Sequence, residues 1–133
     1  MSLLDDLFQA AIEVRKNAHA PYSRFNVGAA VATPDGRIFA GCNVENAAYP
    51  IGTCAEAGAI AAMVAAGGRQ IAAALIVGPG DVLVTPCGGC RQRLREFACE
   101  DTPIHVCGPD GLRRTFTLGE LLPFSFGPEH LQR

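Results

Sequence analysis

The sequence predicts an α/β domain in which helices pack on a sheet. Three observations carry the prediction. Segments with helical spacing alternate with short β-branched runs, an order that stacks helices on a sheet. Two Pro-Asp-Gly triplets, at residues 34–36 and 109–111, each divide a pair of apolar runs as a turn divides two strands. No repeat, low-complexity stretch or linker interrupts the 133 residues, so a single domain over residues 1–133 is expected.

The elements follow in order. Ser2 reads as an N-cap with an acid, Asp5, three residues later, a variant of the capping box. Leu4, Leu7, Phe8, Ala11, Ile12 and Val14 recur near helical spacing, which predicts a first helix ending near Ala18, closed off by Pro21. Residues 27–32 and 37–42 predict two strands about the first turn. Residues 54–66 are rich in alanine and free of proline, which favours helix, and Gly67-Gly68 ends it. Residues 71–77 are β-branched at both ends and read as a buried strand. Residues 91–97 carry Leu94 and Phe97 among charges and read as another helix. Residues 104–107 and 113–117 predict a second pair of strands, and residues 118–122 a short last helix.

Composition narrows the function. The chain is 49% hydrophobic and only 18% charged, apolar enough to expect surface buried against partner subunits. Its net charge of -2 lacks the basic excess of a nucleic-acid binder, so a small neutral substrate is expected and a nucleic-acid partner is not. No apolar run reaches the length of a membrane span. The start, Met1-Ser2-Leu3-Leu4-Asp5-Asp6, is acidic and does not read as a signal peptide. A cytoplasmic protein with six reduced cysteines is therefore expected, its thiols free for metal. Cys42, Cys99 and Cys107 have no partner at ligand spacing and read as small buried hydrophobes. His19, His105 and His130 read as surface or structural residues. Arg91, Arg93 and Arg95, with Glu96 and Glu100 nearby, read as a solvated helix face.

Chemistry concentrates in two segments, Thr53-Cys54-Ala55-Glu56 and Pro86-Cys87-Gly88-Gly89-Cys90. Three thiolates can hold one zinc ion and leave its fourth position open, as in a catalytic site; four closed ligands mark a structural one. Alone, the C-x-x-C pair also fits a redox motif, half of a structural zinc site, or chance. Alone, Glu56 fits a helix start favoured by the helix dipole. Both segments fall where a helix should begin, and a helix N-terminus stabilises a thiolate. The spacing of Cys87 and Cys90 returns both side chains to one side of a first helical turn. Gly88 and Gly89 are expected to give a tight backbone turn between them. Glu56, two positions after Cys54, is placed to handle protons without ligating. Joined, and with Pro86 before the pair, the segments match the zinc-deaminase signature, with cysteine replacing its histidine.

The chain resembles the short, homotetrameric cytidine deaminases of the three-cysteine type. Pro21-Tyr22-Ser23 and Phe25-Asn26-Val27-Gly28-Ala29-Ala30 resemble the segment entering the family's first strand. Gly41-Cys42-Asn43-Val44-Glu45-Asn46-Ala47 resembles its ribose-binding stretch. Pro86-Cys87-Gly88-Gly89-Cys90-Arg91-Gln92 resembles its second zinc segment, and Leu121-Leu122-Pro123-Phe124-Ser125-Phe126-Gly127-Pro128 its C-terminal segment. The resemblance implies a three-layer α/β/α sandwich around a mixed five-stranded sheet. It implies hydrolytic deamination of cytidine and 2′-deoxycytidine to the uridine products plus ammonia, in pyrimidine salvage, by a homotetramer with one Zn2+ per subunit.

By the same resemblance Cys54, Cys87 and Cys90 take the zinc-ligand positions and Glu56 the proton-shuttle position. Asn43 and Glu45 match residues that hold the ribose hydroxyls, a task an amide and a carboxylate suit. Phe25 matches an aromatic lining the pyrimidine site, and the N–H of Ala55 would face the pyrimidine carbonyl. Tyr49 is a further lining residue. Phe126 matches an aromatic that the neighbouring subunit places over the base. Without the family, Phe25 and Phe126 would read as core aromatics, and Asn43 and Glu45 as a polar edge or turn. One position departs from the pattern. Many three-cysteine relatives carry an arginine directly after the glutamate, where it offsets thiolate charge; here that residue is Ala57. Helix N-termini and backbone N–H groups are expected to compensate; a cation from elsewhere, such as Arg91, is an alternative that nothing in the sequence supports. Three other readings stay open: a deaminase of a modified cytosine nucleoside such as a blasticidin-type antibiotic, a zinc-stabilised binding protein without turnover, and a redox protein using Cys87 and Cys90.

Overall fold

In the computed structural model, residues 2–131 are described; residues 1, 132 and 133 of the expected single domain lie outside them. Helix α1 (Leu3–Arg15) starts on a reciprocal cap: Ser2 Oγ accepts from the Asp5 N–H at 3.1 Å, and the Asp5 carboxylate accepts from the Ser2 N–H at 3.2 Å. It ends three residues before Ala18, because the chain tightens into i→i−3 bonds, with Asn17 N–H on Val14 O and Ala18 N–H on Arg15 O. Strands β1 (Gly28–Ala32) and β2 (Ile38–Cys42) form an antiparallel pair about the first Pro-Asp-Gly turn, where Gly36 takes a φ of +91°.

Helix α2 (Ala55–Ala65) closes with two bonds, Gly67 N–H to Val64 O and Gly68 N–H to Met63 O. Gly67 supplies the left-handed backbone, φ +92°, that this ending requires. Strand β3 (Ala73–Val77) begins two residues later than position 71, since Ile71 donates its N–H to Phe97 O instead of to a strand. Helix α3 (Gly88–Arg95) begins three residues before position 91, because Cys87 is its N-cap. Strands β4 (Pro103–Gly108) and β5 (Gly111–Thr117) flank the second turn. The short α4 (Leu118–Leu121) is capped by Thr117 and Glu120. Single 3-10 turns at Tyr49–Ile51 and Pro128–His130 complete the chain.

The sheet is mixed, in the order β2-β1-β3-β4-β5. Only β3 and β4 run parallel, and the crossover between them carries α3. Alternation along the strands sorts the side chains into two cores. Ala30, Ala32, Leu75 and Val77 face Leu7 and Ala11 of α1. Ala29, Val31, Ile76 and Ile104 face the other way, onto Ala59, Ile60 and Met63 of α2, Leu94 of α3 and Leu118 of α4. The expected three-layer α/β/α sandwich is therefore present. Gly41 lets α2 lie almost against β2: a Cβ there would come within 2.6 Å of Ala55 O. That close approach fixes where the first turn of α2 sits. Among the described residues no helix is long and apolar enough to cross a membrane.

Candidate active site

The register pairs Gly28 with both Cys42 and Val77, so Val27, Asn43 and Gly78 leave the sheet at one end. Beyond that end lies a cavity of about 570 Å³. Cys54 and Cys87 stand at its edge as the N-caps of α2 and α3, both in extended backbone. Cys90, in the first turn of α3, is fully buried behind them. The three Sγ atoms lie within 4.8 Å of one another, with Cys54 and Cys87 at 3.8 Å. A tetrahedral ion with bonds of about 2.3 Å needs sulfurs roughly 3.8 Å apart, so the donor set fits zinc. The chemistry of the thiols agrees. Burial, then the nearby Glu56 and Cys54, push the Cys90 thiol well up; burial and the charge of Cys87 push Cys54 up. Burial also works against ionising Cys87, but hydrogen bonds from the Cys90 N–H and the Cys54 thiol outweigh it and hold that thiol below its ordinary value. Three such sulfurs resist ionising together unless a cation joins them.

Glu56 sits one residue into α2, only 5% exposed, and lines the same cavity. Burial raises its pKa, and its own backbone N–H, the Cys90 thiol and the charge of Arg93 pull the other way. The opposite wall is knitted from three chain segments. His19 and Asn43 join by N–H to O at 3.0 Å, Glu45 N–H returns to His19 O at 2.8 Å, and Val44 and Thr53 exchange both their bonds. Val44 thus ties the polar stretch to the residue before Cys54. Asn43 spends its amide on backbone: Oδ1 accepts from Val27 N–H at 3.0 Å and Nδ2 donates to Phe25 O at 2.8 Å. Glu45 accepts from the N–H groups of Tyr22 and Ser23 and from the Ser23 hydroxyl. The Ser23 contacts hold its carboxyl below the usual range.

The family model described as "Cytidine and deoxycytidylate deaminase zinc-binding region" matches residues 1–106. The chain belongs to that family. It is 44% identical over 124 residues to the cytidine deaminase of Mycobacterium tuberculosis, covering 92% of this chain and 89% of that protein. The cytidine deaminase of Halalkalibacterium halodurans is 38% identical over 125 residues, covering 94% and 95%. The crystal structure of cytidine deaminase from Burkholderia pseudomallei superposes with a TM-score of 0.88 at 41% identity, covering 95% of this chain and all of that one. The expected enzyme class, a hydrolytic deaminase, is the class of these relatives.

Of the ten residues that the family resemblance singles out, eight border the cavity: Phe25, Asn43, Glu45, Tyr49 and the run through Cys54, Ala55 and Glu56, with Cys87 across from them. Cys90 reaches the cluster from behind. Phe126 does not border this cavity; its ring stacks on His130 at 5.0 Å and its carbonyl accepts from Gln92 Nε2 at 2.8 Å.

Four expectations need correction. The arginines of α3 are only in part a solvated face: Arg93, Glu96 and Glu100 are exposed, but Arg91 and Arg95 are half-buried and all three arginines have partners. Arg91 donates to Pro86 O, Leu121 O and Thr85 Oγ1, Arg95 donates to Ser125 Oγ and pairs with Glu129, and Arg93 Nη1 donates to Cys90 Sγ at 3.4 Å. The cation beside the sulfurs is therefore Arg93, not Arg91. Gly88 and Gly89 make no tight turn; they are the first helical residues of α3, and Gly89 leaves room where a Cβ would stand 3.4 Å from Arg93 Nη1. Cys99 is exposed, not a buried hydrophobe, and Cys42 is half-buried; only Cys107 is buried, its thiol pushed up by burial to about 11. Unanticipated wall residues, Val84 and Thr85, come from the loop before Pro86, which Arg113 holds through Gly80 O and Val82 O. Arg93 had a signal in the sequence, its i,i+3 spacing from Cys90; Arg113 had none.

Proposed function

We propose that this chain catalyses the zinc-dependent hydrolytic deamination of cytidine and 2′-deoxycytidine, releasing ammonia and the uridine product. The observation that carries the reading is the buried Glu56 beside three sulfurs at one end of a nucleoside-sized cavity. Cys54, Cys87 and Cys90 would hold one zinc ion per subunit, the ion that thiolates favour. When bound, zinc supplies Lewis-acid activation of water at neutral pH.

The remaining steps belong to side chains. Glu56 takes a proton from the attacking water as its oxygen bonds to C4 of the cytosine ring, and delivers it to ring N3. It then takes the remaining proton from the new C4 hydroxyl and carries it to the amino group, so that the C4–N bond breaks, ammonia leaves and the C4 carbonyl forms. Its burial favours the protonated carboxyl between these transfers. Ala55 is the first residue of α2, where an N–H has no helical partner, and it would donate to the pyrimidine carbonyl. Glu45 stays ionised beside Ser23 and, with Asn43, would receive the ribose hydroxyls on lone pairs and an amide N–H left over from their backbone contacts. Phe25 and Tyr49 would supply the apolar walls. Phe126 would cover the base of a neighbouring subunit in a homotetramer. We assign the enzyme to the cytoplasm, a reading supported by six unpaired cysteines, and its reaction to pyrimidine salvage, which follows from the proposed substrates.

The test follows the loss of cytidine and deoxycytidine absorbance with zinc content measured on the same sample. Activity should vanish when the metal is stripped and return when zinc is restored. A folded protein with one zinc per chain that converts neither nucleoside would overturn the reading. A cytosine antibiotic run alongside would expose the modified-nucleoside alternative.

A further inference from the structure

We infer that Arg93 is a positioning residue that sets the charge of the three-sulfur centre from α3, in place of a cation beside Glu56. The inference rests on the metal reading above and adds a role to a residue outside the cavity wall. Its geometry follows from the helix. Arg93 lies three residues after Cys90 and four after Gly89, so all three share a face, and long helical side chains lean toward the N-terminus. The guanidinium therefore folds back over Gly89, which offers no side chain to block it, and donates to Cys90 Sγ.

Its neighbours on α3 leave it that task. Arg91 is committed to two carbonyls and a hydroxyl, and Arg95 to Ser125 and Glu129. Arg93 forms no ion pair with an acid among the described residues. Ala57, next to Glu56, brings only a methyl group. Three thiolates around a divalent ion sum to -1, and ionised Glu56 adds another negative charge nearby; Arg93 contributes +1. A charge-assisted hydrogen bond also draws electron density from Cys90, which would then donate less to the ion and leave it a stronger Lewis acid.

The test is spectroscopic, on protein loaded with cobalt(II). In Arg93→Gln the sulfur-to-cobalt charge-transfer band should move to lower energy while the d–d bands keep a tetrahedral pattern. Arg93→Lys should lie between parent and glutamine variant, and Ala57→Arg added to Arg93→Gln should move the band back. On the zinc form, kcat should fall by about tenfold to a hundredfold in Arg93→Gln, with KM unchanged because Arg93 does not border the cavity. A band at the parent's energy in both Arg93→Gln and Arg93→Lys, with cobalt bound, overturns the role of Arg93 alone. A parent protein that takes up no cobalt overturns the metal reading with it. Loss of kcat, KM and thermal stability together, with no rescue by Ala57→Arg, would mark Arg93 as merely structural and sink the inference.

Discussion

Glu56 combines two properties that seldom meet: a carboxyl almost without solvent, and a place in the first turn of a helix. Burial favours its neutral form, while the helix N-terminus favours its charge. A group so balanced exchanges a proton readily, which is the task proposed for it. Glu56→Gln keeps the shape and removes the exchange. That variant should retain its zinc and lose deamination by at least about a hundredfold, the usual scale for a lost acid–base group; ammonia release at the parent's rate would remove the proposed shuttle. The convergence of Cys54, Cys87 and Cys90, with Glu56 on the same cavity, was legible because those spacings are short and local. The contact of Arg93 with Cys90 was signalled only by their i,i+3 spacing, which arginines at every second position obscure until each partner is known. Asn43 was half legible. Its polarity marked it, but its bonds to Phe25 and Val27 join segments far apart in sequence.

At the scale of elements, the site depends on how closely α2 approaches β2. Gly41→Ala would place a methyl within 2.6 Å of Ala55 O, nearer than such atoms are found, so α2 must shift and carry Cys54 and Glu56 with it. The variant should lose about 1–3 kcal/mol of stability, as overpacked cores do, and bind zinc more weakly. Gly36→Ala, in an open turn at φ +91°, should be less stable yet keep its zinc. Equal zinc content in the two variants would show that α2 tolerates the displacement. A second element carries a pH dependence. Burial on β4 lowers the pKa of His105, whose Nδ1 lies 2.8 Å from Thr115 Oγ1. Below the ordinary histidine value of about 6.5 the unfolded chain binds a proton that the folded chain refuses. Stability should therefore fall as pH drops through that value and level off below the folded pKa. The melting temperature of His105→Thr should fall less between pH 7.5 and pH 5.5 than the parent's; parallel curves would clear His105 of the effect. The elements themselves were legible from turns, alanine runs and strand alternation. Their ends were not, since Cys87 as an N-cap and Ile71 bonded to Phe97 depend on neighbours distant in the chain.

At the scale of the whole molecule, several large apolar side chains among the described residues stand in solvent. Tyr49 is 74% exposed, Phe126 55%, and Phe124 stands wholly in solvent on a left-handed backbone, φ +53°. A phenyl group held outward at the cost of backbone strain fits a surface meant for another copy. The segment bearing it is anchored, not loose: Arg95 binds Ser125, Gln92 binds the carbonyl of Phe126, and His130 stacks on its ring. Native mass spectrometry should find four chains. Whether Phe126 serves its own cavity or a neighbour's can be decided by mixing. Phe126→Ala alone should bind cytidine more weakly, and Glu56→Gln alone should be almost inactive. In tetramers refolded from both variants, intact Glu56 in one chain can meet intact Phe126 from the next. If Phe126 acts across the interface, such mixtures should contain sites with the parent's KM, in proportion to the shared contacts. If it acts within its own chain, every active site lacks the ring and the mixture keeps the weak KM of Phe126→Ala. The expected result is recovery, because Phe126 does not border its own chain's cavity; its absence in verified mixed tetramers would refute the cross-subunit assignment.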